Sequence, residues 1–147
     1  MRETLFNWLG QRLDGLSCLD LFAGSGALGF EAASRGAARV VMVENDRVVF
    51  ESLKQSLAAI AARQVELVLG DAFEYLRAAP GKFDVVFLDP PFRQNALPAA
   101  LERLAERLAP GGRVYIESPA PLEIQAPWRE TRRARAGQVS YQLLESQ

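Results

Sequence analysis

Four carboxylates stand where apolar runs give way to turns: Asp20 in CLDLFAGSGALG, Glu44 in RVVMVEN, Asp71 in LVLGDAF and Asp89 in VVFLDPPFRQN. The last stretch is chemically the most demanding. Proline cannot continue a central strand, so the stretch reads as a strand followed by a loop. Asp89 can accept a hydrogen bond from an N–H, and the Pro-Pro step fixes the backbone so that the Pro90 carbonyl can meet a second one. Phe92 adds a flat face for stacking. Together these suit a planar heterocycle carrying an exocyclic amino group. The bland alternative is a loop in which Asp89 caps a turn and Phe92 covers the core. Upstream, Gly24, Gly26 and Gly29 satisfy the G-x-G-x-x-G spacing ahead of a helix, which fits either a ligand loop or an ordinary tight turn. Glu44 at a strand end can accept both hydroxyls of a ribose. Asp71 can take the amino group of an adenine, cap the following helix, or do both with different oxygens.

What is missing narrows the chemistry as much as what is present. The 147 residues contain no histidine, which removes the usual general base and the histidine-paired nucleophiles. One cysteine, Cys18, permits neither an internal disulfide nor a thiolate cluster, and its place in an apolar run reads as core. No metal site is expected. The composition, 49% hydrophobic, suits a single domain over 1–147 with a sizeable core. The formal charge of −1 does not announce a nucleic-acid binder. Arginine outnumbers lysine 15 to 2, and Arg129, Arg132, Arg133 and Arg135 crowd one stretch, a solvated strand face or a phosphate-binding one. No long apolar span or signal layout is present, so the expected location is cytoplasmic, away from membranes.

These residues need a frame that brings strand ends together, and the sequence supplies alternating helical and strand patterns. Helices are expected over 3–13, 26–37, 47–62, 72–79 and 96–109, the last ended by Pro110-Gly111-Gly112. Strands are expected over 16–22, 39–44, 65–70, 83–89 and 113–118. Nearly continuous apolar strands between helices imply an α/β fold with a mostly parallel sheet covered on both faces. Two final extended stretches around Ala136-Gly137 read as a hairpin that adds an antiparallel strand. In such sheets ligands sit beyond the carboxyl ends of the strands, where the four acids fall.

DLFAGSG, Glu44, GDA and DPPF, in this order and spacing, resemble the successive motifs of class I S-adenosylmethionine-dependent methyltransferases. RETLFNWL, DLFAGSGALGFEAASRGA and FDVVFLDPPF resemble more narrowly the RsmD family, bacterial enzymes that methylate the 2-amino group of a guanine in 16S ribosomal RNA. The resemblance implies a Rossmann-like seven-stranded fold. It places S-adenosylmethionine against Asp20, Phe22, Ala23, Gly24, Ser25, Gly26, Glu44, Asn45, Asp71, Ala72 and Asp89, and the target base against Asp89, Pro90 and Phe92. It implies a monomer whose partner is 16S rRNA or the small ribosomal subunit. Family members carry a basic N-terminal arm ahead of the position of Met1, which this sequence is expected to lack. Amino methylation of adenine or cytosine in DNA or another RNA stays open, as do a nicotinamide-dependent oxidoreductase and an idle RNA-binding module.

Overall fold

The computed structural model describes residues 2–78, 81–90 and 96–146. Seven strands form one sheet in the order β3-β2-β1-β4-β5-β7-β6. The strands are β1 (Ser17–Asp20), β2 (Arg39–Glu44), β3 (Val65–Leu69), β4 (Phe83–Leu88), β5 (Leu108–Ser118), β6 (Trp128–Ala136) and β7 (Val139–Ser146). The helices are α1 (Arg2–Trp8), α2 (Ala27–Ser34), α3 (Arg47–Ile60), α4 (Ala72–Ala78) and α5 (Ala96–Leu104). The first five strands pair in parallel, and β7 inserts antiparallel between β5 and β6. This is the expected α/β architecture with its C-terminal hairpin.

The central strands β1, β2 and β4 are apolar because both of their faces are covered. Leu5 and Phe6 of α1, Ala32 of α2 and Leu53 of α3 pack with Cys18, Val40, Met42, Val85 and Phe87 on one face. Leu76 of α4, with Leu97, Leu101 and Leu104 of α5, packs with Leu19, Val41, Val43, Val86 and Leu88 on the other. Burial on this scale is the main favourable term, at about 1.5–3 kcal/mol per large side chain. A row of aromatic rings, Phe6–Phe87–Tyr115–Tyr141, crosses the first face at centroid spacings of 6.1, 6.5 and 6.1 Å. Strand order reverses between β1 and β4, which opens a crevice at their carboxyl ends.

Some element ends differ from expectation. α1 stops at Trp8, because Gly10 and Gln11 adopt left-handed φ of 97° and 68° and return hydrogen bonds to Asn7 and Phe6. Leu13, the last residue of the span expected to be helical, is fully buried but lies beyond the helix. β1 ends at Asp20, so Leu21 and Phe22 already belong to the turn. α5 ends at Leu104, and Pro110-Gly111-Gly112 lies inside β5. There Phe83 pairs with Leu108 while Val85 pairs with Arg113, so the Pro-Gly-Gly residues fall in a bulge of β5. The arginine stretch falls on β6 at the sheet edge, where Arg129 pairs with Glu145 and Arg133 with Glu130.

Among the described residues, no helix is long and apolar enough to cross a membrane.

Candidate active site

The turn after β1 is tight because backbone groups close it on both sides. The Ala23 amide donates to the Val43 carbonyl at 3.0 Å, and the Gly26 amide to the Ala23 carbonyl at 2.8 Å. The Gly24 amide donates to Glu44 Oε1 at 2.9 Å, and the Asp46 amide to Oε2 of the same carboxylate at 3.0 Å. Glu44 is thus anchored with one amide on each oxygen, and each oxygen keeps further acceptor capacity for a ligand.

The three glycines have different duties. Gly24 lines the cleft. Gly26 caps α2 with φ 85°, and a Cβ there would come within 2.5 Å of the Phe30 ring. Gly29 lets α2 lie directly on β2, since its Cβ would meet Met42 Sδ at 2.7 Å. Gly26, expected to touch a cofactor, does not line the cleft, although its neighbours Ser25 and Ala27 do.

The cleft at these strand ends has a volume of about 930 Å³. From β1 and its turn it takes Asp20, Phe22, Ala23, Gly24 and Ser25; from the end of β2, Glu44 and Asn45. Asp71 and Ala72 enter from the β3–α4 junction, and Asp89 and Pro90 from the end of β4. Asp71 spends one oxygen on capping α4: Oδ2 accepts from the Phe73 and Glu74 amides at 2.9 and 3.0 Å. Phe92 lies outside the described residues. Apolar walls that the sequence reading did not single out come from Leu28, Val43, Val49 and Phe73. Phe73, two residues beyond Asp71, was the one with a visible signal, an aromatic directly following the GDA turn.

Electrostatics set this cleft apart. Five of its lining residues are carboxylates, Asp20, Glu44, Asp46, Asp71 and Asp89, and among the described residues no lysine or arginine lines it. Asp20 is 2% exposed, and burial, reinforced by the charges of Asp89 and Glu44, pushes its pKa up to about 7 against the opposing amides of Gly29 and Phe22. Asp89 is open to the cleft, yet partial desolvation and the nearby Glu117 carboxylate raise it to about 6. Cys18 is pushed up to about 12 by burial and by Asp84, so it is an inert core thiol. A cationic ligand gains from those of the acids that are ionised. A pyrophosphate would meet them with no basic side chain among the described lining residues to offset the repulsion.

Glu117, at the end of β5, was missed. It accepts from the Tyr115 hydroxyl at 3.0 Å, and Tyr115 stacks on Tyr141 of β7. In the sequence it is simply the polar residue closing the run RVYIES, and only strand register shows that it neighbours Asp89.

Comparison with known proteins adds independent findings. Residues 1–145 match the family described as Conserved hypothetical protein 95. The chain is 40% identical to Ribosomal RNA small subunit methyltransferase D of Escherichia coli K12 over 148 residues, covering 97% of this chain and 75% of the relative. With the Haemophilus influenzae protein of the same name it shares 38% over 154 residues, covering 99% and 80%. Among solved structures it superposes on Escherichia coli yhhF with a TM-score of 0.91 at 39% identity, covering 99% of this chain and 85% of that one.

Proposed function

This chain belongs to the RsmD family, and on that footing we propose that it transfers a methyl group from S-adenosylmethionine to the 2-amino group of a guanine in small-subunit ribosomal RNA. The observation that carries the cofactor half of this reading is that, among the described residues, every charged residue lining the cleft is acidic. S-adenosylmethionine bears a sulfonium and an ammonium against one carboxylate and is a net cation, which is the charge this cleft favours. The guanine target rests on the family and on the acceptor residues at the end of β4.

Glu44, its oxygens aligned by the Gly24 and Asp46 amides, would receive the ribose hydroxyls. The second oxygen of Asp71, the one not capping α4, would receive the adenine amino group. The amide-rich turn at Gly24 and the partly neutral Asp20 would face the amino-acid portion. Phe73 and Val49 supply apolar cover. When bound, the cofactor supplies an electrophilic methyl whose S–C bond breaks as the N–C bond to the amine forms.

The rest of the reaction falls to this chain's own groups. An aromatic amine is a poor nucleophile because its lone pair is delocalised into the ring. Asp89 and the Pro90 carbonyl, by accepting its two N–H bonds, would favour a pyramidal nitrogen and stabilise the positive charge developing on it. With a pKa near 6, the Asp89 carboxylate is also a fit acceptor for the proton that the methylated nitrogen releases. Positioning of the two reactants in the cleft supplies the remaining large factor.

The test is mass mapping of methylated nucleotides in small-subunit RNA from cells lacking the protein and from cells in which it is restored. The expected result is one N2-methylguanine that disappears and returns. A changed adenine or cytosine, or no change in the RNA, would overturn the reading.

A further inference from the structure

The carboxylates at the strand ends are not equally free to meet a base, and Glu117, half-buried at the end of β5, stands just outside the cleft's lining. Asp20 is buried against α2, Glu44 is tied down by the Gly24 and Asp46 amides, and Asp71 caps α4. Glu117 differs: Tyr115 fixes its Oε2, and among the described residues Oε1 has no hydrogen-bond partner. Ile116 pairs with Leu88 across the β4–β5 ladder, so Glu117 stands beside Asp89 at the next level, about one interstrand spacing of ~4.8 Å away. On its other side Glu117 pairs with Tyr141. The Tyr115–Tyr141 stack buries both rings, at 2% and 7% exposure, and makes a rigid floor that holds the carboxylate in place.

Two neighbouring carboxylates ask for two neighbouring donors. The pairing edge of guanine offers them, the ring N1–H beside the 2-amino group. Adenine and cytosine place a ring-nitrogen lone pair beside their amino group, and that lone pair would oppose a carboxylate oxygen. We propose that Glu117 is the specificity-determining residue of this site, its Oε1 accepting the guanine N1–H while Asp89 accepts from the amine to be methylated. Burial raises the pKa of Asp89 and the Glu117 charge adds to it, a repulsion relieved when both carboxylates receive a donor. This assignment rests on the methyl-transfer reading above and deepens it by naming the residue through which guanine is recognised at N1.

The probe is 2-aminopurine, which keeps the 2-amino group but presents a ring-nitrogen acceptor at N1. Small subunits are reconstituted with RNA carrying guanine or 2-aminopurine at the modified position, and methyl transfer by the full chain is measured as kcat/KM. The wild type should prefer guanine on the order of a hundredfold. Glu117→Gln should lower transfer to guanine much more than to 2-aminopurine and shrink the preference below about tenfold, with S-adenosylmethionine affinity unchanged. Tyr115→Phe, which frees Oε2, should produce a smaller loss of the same selective kind and reads the effect should Glu117→Gln fail to fold. An equal loss on both bases, or a wild type indifferent to the N1 donor, would overturn the role of Glu117 while leaving amine methylation standing. No transfer to either base by the wild type would overturn the underlying reading itself.

Discussion

Asp89 meets two conflicting demands, since it must be accessible to a base yet poised to hold or release a proton. Its raised pKa gives the pH dependence a definite sign. Below about pH 6 the carboxylate is protonated and loses acceptor capacity, so kcat/KM should fall on the acid side and level off above pH 7. Because the Glu117 charge contributes to the shift, Glu117→Gln should move that acid limb to lower pH, and a pH–rate profile that does not move would remove the coupling. Asp20 yields a stability prediction. Its folded pKa of about 7 exceeds the ordinary 3.8, so the folded chain holds this proton more tightly than the unfolded one. Stability therefore falls as pH rises between those two values, by at most roughly 4 kcal/mol from this group. Asp20→Asn should flatten that slope in urea titrations from pH 4 to 7.5; an unchanged slope would show that Asp20 is not the group responsible. At Glu44 the carboxylate serves both the loop and the ligand. Glu44→Gln should raise the S-adenosylmethionine Kd about tenfold by calorimetry, the cost of weakening charge-assisted hydrogen bonds.

At the scale of elements, the site depends on α2 and β2 touching closely enough to fix the turn between β1 and α2. Gly26→Ala would place a Cβ against Phe30 and Leu53 in a left-handed backbone, and should cost about 2–4 kcal/mol in thermal or urea unfolding. A loss under 0.5 kcal/mol would show that the turn relaxes freely. The central strands were legible because burial on both faces makes them continuous apolar runs, and β2, β4 and the hairpin fall within about a residue of expectation. Helix ends were less legible. Nothing local marks Gln11 for a left-handed turn, and Pro110-Gly111-Gly112 carries the signature of a helix stop while serving as a bulge whose need arises only from pairing with β4. The acids at strand ends were readable for the same reason as the strands. Glu117 was not, because its neighbour Asp89 lies on another strand and register is a property of the sheet.

Across the whole molecule, charge is separated in space. The net charge is −1, yet the cleft gathers five carboxylates while Arg132, Arg133 and Arg135 sit exposed on β6 at the edge of the sheet. Equilibrium dialysis should accordingly show S-adenosylmethionine bound and NADH excluded, and NADH binding of comparable strength would contradict the electrostatic account of the cleft. The most direct test of the central claim is methyl transfer to small-subunit RNA by Asp89→Asn, with cofactor affinity measured on the same preparation. Turnover should drop by a factor of roughly 10²–10⁴ with the S-adenosylmethionine Kd within about twofold of wild type. Near-normal turnover in that variant would contradict the claim that the carboxylate at the end of β4 activates the amine.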